Sequence, residues 1–277
     1  MSGRRNRVVI TGASGGLGRA FAAALAPHSS AMVLVGRDRA RLEALCDQMA
    51  LEHDVRTSIV AGDATDPEVR RQIVDAASRL GGPLDVLVNA AGINEFHAFE
   101  SQQPAAVERL LAVNLLAPIQ LTQALLPLMY DAARPQVINV GSILGYLGYP
   151  GYAVYCAGKF GLRGFSQALR RELADTRVEV RYFAPRSTRT SMNTPAVTAM
   201  NRELGMDEDA PEHVAKMLVR FMAGSGWEYK LGLPQRIFVW LNHLVPAMND
   251  KAIRRQLEVI HRHLPGARIA NIDRTIP

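Results

Sequence analysis

The stretch that most constrains the fold comes near the amino terminus, where Val8, Val9 and Ile10 form a short apolar run and Thr11-Gly-Ala-Ser-Gly-Gly-Leu-Gly18 follows directly. A helical pattern through Phe21 and Leu25 comes next. Gly12, Gly16 and Gly18 allow a sharp turn and a close backbone approach, while the free N–H groups and dipole of the new helix favour a phosphate. Strand, glycine turn and helix in that order predict a dinucleotide site.

The same alternation continues along the chain. Apolar runs at 31–35, 57–61, 84–88, 136–140, 178–183 and 229–233 read as strands, with helical patterns at 39–51, 104–130 and 153–173. Repeated strand–helix units predict an α/β fold: one Rossmann-type, doubly wound parallel sheet of about seven strands with helices on both faces. A chain of 277 residues with 48% apolar content can bury such a core as a single domain. The polar segment 186–209, with Thr188, Thr190 and Thr194, reads as an irregular, mobile loop over the site.

In such sheets, ligands gather at the carboxyl ends of the strands. Arg37 follows the second strand, where an acidic residue would bind the 2′-hydroxyl of NAD and an arginine the 2′-phosphate of NADP. Charge pairing favours the phosphate role over that of a solvated arginine, although Arg39 and Arg41 lie close by. Asp63 ends the third strand and, because Asp66 before Pro67 is the better helix cap, is expected to be free for the adenine amino group. Small residues in Asn89-Ala-Ala-Gly92 let backbone pass close to a ligand.

Asn114 interrupts an apolar helical stripe and must find partners, as a structural polar bridge or in a proton path. Ser142 leaves the carboxyl end of the 136–140 strand. Tyr155 and Lys159, four apart, share a helix face, so an ammonium one turn away is expected to lower the phenol's affinity for its proton and make Tyr155 an acid/base. The tyrosine-lysine spacing alone recurs by chance; its context gives it weight. Cys156 lies about 100° round the helix from Tyr155 and reads as a packed thiol.

Two cysteines are too few for a disulfide framework, no Cys/His spacing suggests a metal site, and no apolar leader follows the first residues, so a reduced cytoplasmic setting is expected. The net charge of +6 does not point to nucleic acid, because Lys and Arg are scattered without interleaved aromatics. From Trp227 onward there are eight Lys/Arg against four Asp/Glu, which concentrates the excess in the tail.

Jointly, 11–18, Asn89–Gly92, Asn114, Ser142 and Tyr155-Cys-Ala-Gly-Lys159 resemble the short-chain dehydrogenase/reductase family over about residues 7–233. The resemblance implies an NADP(H)-dependent oxidoreductase acting on a small-molecule carbonyl or alcohol, and a homodimer or homotetramer. It implies catalytic roles for Ser142 (orienting the carbonyl), Tyr155 (proton donor or acceptor), Lys159 (nicotinamide ribose) and Asn114 (a relay water). Gly12, Ser14, Gly15, Gly16, Leu17, Gly18, Arg37, Asp63, Ala64, Asn89, Ala90, Gly92, Tyr155, Lys159, Pro185, Thr188 and Thr190 would line the cofactor. Two departures stand out: Pro185-Arg186 where Pro-Gly is usual, and Gly158 where many members carry Ser. A catalytically silent dinucleotide sensor or scaffold is the rival reading.

Residues 1–233 would form the catalytic domain and 234–277 a helical extension packed on it, in two pieces separated by Pro246. Pocket cover and subunit interface are both preferred to a membrane-surface helix, since an apolar stripe most often packs on protein. A membrane contact would favour a lipophilic substrate.

Overall fold

Seven parallel strands order as β3-β2-β1-β4-β5-β6-β7 in this computed structural model, which describes residues 5–232, 239–242 and 246–267. The strands are β1 (Asn6–Thr11), β2 (Ser29–Gly36), β3 (Arg56–Ala61), β4 (Val86–Asn89), β5 (Gln136–Val140), β6 (Glu179–Ala184) and β7 (Glu228–Lys230). The order reverses between β1 and β4, so a crevice opens beyond their carboxyl ends.

Both faces of the sheet are covered because successive side chains alternate. Val8, Ile10, Met32, Leu34, Val86 and Val88 pack towards α1 (Gly16–Leu25), α2 (Arg39–Glu52) and α8 (Pro211–Ala223). Val9, Val33, Val35, Leu87, Val137 and Val180 pack towards α3 (Pro67–Ser78) and α5 (Ala117–Leu125). Caps fix two helix starts: Asp38 accepts from the Arg41 N–H, and Asp66, as expected, from that of Glu68.

Three elements depart from the sequence reading. The helical pattern at 104–130 is α4 (Pro104–Leu111), a π-turn (Ala112–Leu116) and α5, followed by a short 3-10 turn. Pro118, four residues after Asn114, has no N–H for the Asn114 carbonyl, and the chain widens by one residue there. The segment expected to be irregular carries α7 (Pro195–Glu203), capped by the Thr194 hydroxyl with Pro195 in its first turn. The last strand is centred earlier than expected, at Glu228–Lys230, and position 233 lies outside the described residues.

By length and hydropathy the span Pro104–Leu128 could cross a membrane, yet Leu121 and Leu125 are sealed in the core. In the extension, 239–242 is helical with Val239 buried and Trp240 exposed, and α9 (Pro246–His263) begins at the proline expected to separate two pieces. The rest of the first piece lies outside the described residues.

Candidate active site

On the amino-terminal side of the crevice, backbone packs directly on backbone. Gly12 has φ +72°, and a Cβ there would lie 2.9 Å from the Ala90 carbonyl oxygen; one on Gly18 would lie 2.1 Å from that of Gly12. Only glycine fits either place. Thr11, which the motif reading passed over, ties the two segments: its hydroxyl accepts from the N–H groups of Ala90 and Ala91, both at 3.0 Å. A hydroxyl at the last position of β1 was the available signal. Gly15 precedes helix α1 and offers no side-chain cap, so the first N–H groups of the helix have no side-chain competitor for an anion. Thr190 closes over Gly16, and Ser14 packs on Gly36.

Arg37 is exposed beyond β2. Its neighbours are engaged, Arg39 with Glu43 at 3.6 Å and Arg41 with Asp38 at 3.2 Å, whereas Arg37 forms no ion pair among the described residues.

Two expected cofactor contacts need correction. Asp63 is not free: one oxygen accepts from Arg109, and the other from the N–H and hydroxyl of Thr65 at 2.9 and 2.7 Å. Burial alone would raise its carboxyl, but these hydrogen bonds and the guanidinium hold it at about 2. The neighbouring Ala64 carbonyl accepts from Arg70. Asn89 turns its side chain into the core, donating to Thr122 and Asn139 at 3.0 and 2.8 Å. Its role is to join β4 to β5 and α5.

The strand-end serine, the tyrosine and the lysine come together in one cleft of about 530 Å³. Ser142 caps a short 3-10 turn, its hydroxyl accepting from the Leu144 N–H at 3.1 Å, and lines the cleft with Tyr155. Both remaining groups sit on α6 (Ala153–Glu172), with the Lys159 Nζ 5.7 Å from the Tyr155 ring centre. Tyr182 braces the arrangement from β6: its hydroxyl donates to the Lys159 carbonyl at 3.1 Å and accepts from the Ser142 N–H. No sequence signal marked it.

The expectation of an acidified phenol is not met. Burial pushes Tyr155 up to about 12, with the nearby Ser142 hydroxyl pulling the other way. Burial also lowers Lys159 to about 8, and its ammonium donates to the Val140 carbonyl at 3.1 Å. Desolvation outweighs charge pairing because the amine faces a strand end instead of the phenol oxygen.

Asn114 works as a polar bridge in this state, accepting from the Ile93 N–H at 3.2 Å and donating to the Ile93 carbonyl at 2.8 Å. Gly158 packs beside it, where an added Cβ would lie 3.4 Å from the Asn114 Cβ, an ordinary contact that a serine also fits. Cys156 is packed, as expected, with its thiol 3.8 Å from the Leu147 carbonyl.

The far wall is made by side chains. Arg186 reaches Asp209 through two hydrogen bonds of 2.8 and 2.9 Å, closing the segment that carries α7 across its base. Glu208 accepts from Asn193 and Asn201 at 2.8 and 2.9 Å. Helix α9 lies on α7: Ile260 is buried with Phe96, Tyr152 and Met200, and Arg262 and His263 meet Glu203. Tyr149 donates to Gln256 at 2.9 Å, and Gln256 and Ile253 line the cleft.

Residues 6–201 match the family model described as short chain dehydrogenase. Dehydrogenase/reductase SDR family member 7B of Bos taurus is 32% identical over 256 residues, covering 87% of this chain and 78% of that protein. The short-chain dehydrogenase from Sphingobium yanoikuyae in complex with NADPH aligns with a TM-score of 0.72 at 26% identity, over 88% of this chain and 96% of that one. A short-chain dehydrogenase/reductase from Burkholderia phymatum in complex with NAD gives 0.79 at 20% identity, over 89% and 95%, a likeness of fold alone. The chain therefore belongs to the short-chain dehydrogenase/reductase family, oxidoreductases that use a nicotinamide dinucleotide. One of these relatives holds NADPH and the other NAD, so the choice between them rests on this chain's own residues.

Proposed function

We propose that the protein is an NADP(H)-dependent oxidoreductase that interconverts a carbonyl and a secondary alcohol on a predominantly apolar substrate. The observation that carries this reading is that Ser142, Tyr155 and Lys159 line one cleft, the lysine one turn after the tyrosine on α6, together with Leu17 of the glycine motif. The turn suits a dinucleotide, because Gly12 and Gly18 keep backbone where a Cβ would collide and the uncapped α1 offers N–H groups to a pyrophosphate. Arg37, without an acidic partner among the described residues, suits a 2′-phosphate.

The bound dinucleotide would supply the hydride that the carbonyl carbon receives, or accept it in reverse. The protein's residues handle the oxygen. Ser142 orients it, and Tyr155, protonated at neutral pH because burial holds its proton, donates to it as the C–O bond becomes single. Lys159 sits behind Tyr155 on the cofactor side, and Asn114 fixes the backbone at Ile93 against it.

NADPH fluorescence titration alongside a carbonyl panel tests the proposal. Turnover that disappears in Tyr155→Phe with NADPH binding retained supports it. Binding without turnover of any carbonyl selects the silent sensor instead.

A further inference from the structure

Along the end of β5 the backbone N–H groups do not all meet the same kind of partner. Those of Gly141 and Ile143 continue the sheet, donating to the Phe183 and Pro185 carbonyls at 2.7 and 3.1 Å. The N–H of Ser142, between them, meets a side chain instead, donating to the Tyr182 hydroxyl at 3.4 Å. That hydroxyl in turn donates to the Lys159 carbonyl at 3.1 Å. Lys159 reaches back with its ammonium to the Val140 carbonyl, also at 3.1 Å. One residue of α6 is thus joined twice to the strand end that carries Ser142, directly through its side chain and, by way of Tyr182, through its backbone.

The joint is held in a rigid place. Tyr182 is 0% exposed and clusters with Ile143, Tyr146, Leu162 and Val239, the last from the carboxyl-terminal extension. Its ring stands edge-on to that of Tyr146 at 5.8 Å. Glycines on either side of Ser142 make its room, because a Cβ on Gly141 would run into the Tyr182 ring and one on Gly145 into its hydroxyl oxygen. Burial pushes the phenol well above its ordinary value, so it remains a donor at any working pH. A hydroxyl at this depth is costly unless its bonds are made, and both of them go to the backbone of residues that line the cleft.

Building on the carbonyl–alcohol reading, we infer that Tyr182 is a positioning residue for the reaction: its hydroxyl fixes Ser142 against α6 and so sets where the substrate oxygen lies relative to Tyr155. Fully buried, it acts through the serine and not on the substrate.

The test uses the full-length protein with NADPH and whichever ketone of the carbonyl panel it reduces fastest. Tyr182→Phe keeps the ring and removes both joins; kcat should fall about tenfold, the scale of one hydrogen bond, with the NADPH dissociation constant unchanged. Tyr146→Phe is the control, because it removes a neighbouring hydroxyl that bonds Glu228 at 2.9 Å and should leave kcat unchanged while lowering the urea midpoint comparably. In a Ser142→Ala background Tyr182→Phe should cost nothing further, since a residue acting through the serine then has nothing to place. An unchanged kcat in Tyr182→Phe, an equal loss in Tyr146→Phe, or a loss that persists without the Ser142 hydroxyl overturns the inference and leaves the carbonyl reading standing. Should Tyr182→Phe fail to fold, Gly145→Ala, which crowds the hydroxyl without removing it, takes its place in the same comparison and must show the same loss. No turnover of any ketone by the unmodified protein removes both the reading and the inference.

Discussion

On the cofactor side of the cleft, backbone meets backbone: Gly12 against Ala90, Gly18 against Gly12, and Thr11 hydrogen-bonded to the next two N–H groups. On the substrate side, side chains make the joins, Arg186 to Asp209 across 23 positions and Tyr149 to Gln256 across 107. A wall defined by the absence of Cβ atoms tolerates few alternatives, because any side chain collides with main chain that cannot move aside. Pairs of side chains can be exchanged for other pairs of similar reach. The first construction suits a ligand that stays the same, and the second a ligand that differs from one relative to the next.

The walls meet on α6, and the largest effect is expected there. Tyr155→Phe should lower kcat by about a thousandfold, the scale of a positioned acid. NADPH affinity should change little, since the glycine turn and the start of α1, which suit the pyrophosphate, are left intact. Stopped-flow turnover and fluorescence titration on one preparation check both halves; a parallel loss of NADPH binding would mean that the two walls are not separable.

Lys159 comes next, through the pH dependence of stability. Its folded value of about 8 lies below the ordinary 10.5 because burial disfavours the ammonium. Between these values the unfolded chain binds more protons, so this group makes stability rise with pH from about 8 towards 10. Its full penalty, roughly 3 kcal/mol, applies below that window. Lys159→Met should flatten the rise in urea midpoint between pH 7.5 and 9.5. An unchanged slope would mean that the amine is hydrated in the folded protein.

How far each wall could be read in advance follows from the same contrast. Gly12, Gly16 and Gly18 announce themselves within eight residues, and the apolar runs of β1, β2, β4 and β5 are local as well. Asp63 looked free because its partner, Arg109, lies 46 positions away on a helix whose placement needs the whole sheet. The same holds for Asn89, whose partners Thr122 and Asn139 come from α5 and β5. The π-turn stays hidden when Asn114 is read for its polarity alone, because its signal is the N–H that Pro118 lacks four residues on. Helix α7 did carry a local signal, Thr194-Pro195, which the polar composition around it obscured. The Tyr155–Lys159 spacing gave the right neighbours and the wrong sign for the phenol, since burial depth is a property of the folded cleft.

Arg37 tests the cofactor wall at its rim. Arg37→Asp should shift the NADPH-to-NADH ratio in kcat/KM towards NADH by about tenfold to a hundredfold, the range for losing a charged hydrogen-bond partner. An unmoved ratio would sink the 2′-phosphate assignment and leave Arg37 a solvated arginine. It would also show that the cofactor wall chooses its dinucleotide by some other residue.

The smallest expected effect comes from restoring the family's usual residue at the base of the substrate wall. Arg186→Gly removes both hydrogen bonds to Asp209, whose side chain is only 11% exposed, and leaves that carboxylate without its main partner. Because Arg186 itself is part-exposed, the loss should be modest, about 1 kcal/mol or a melting shift of about 3 °C. With 186–209 no longer clamped, KM for the carbonyl should rise severalfold while the dissociation constant for NADPH stays put. Arg186→Lys, able to make one contact instead of two, should fall between. A matching rise in the NADPH constant would show that the clamp also positions Thr188 and Thr190 against the glycine turn, and the two walls would then be one mechanical unit.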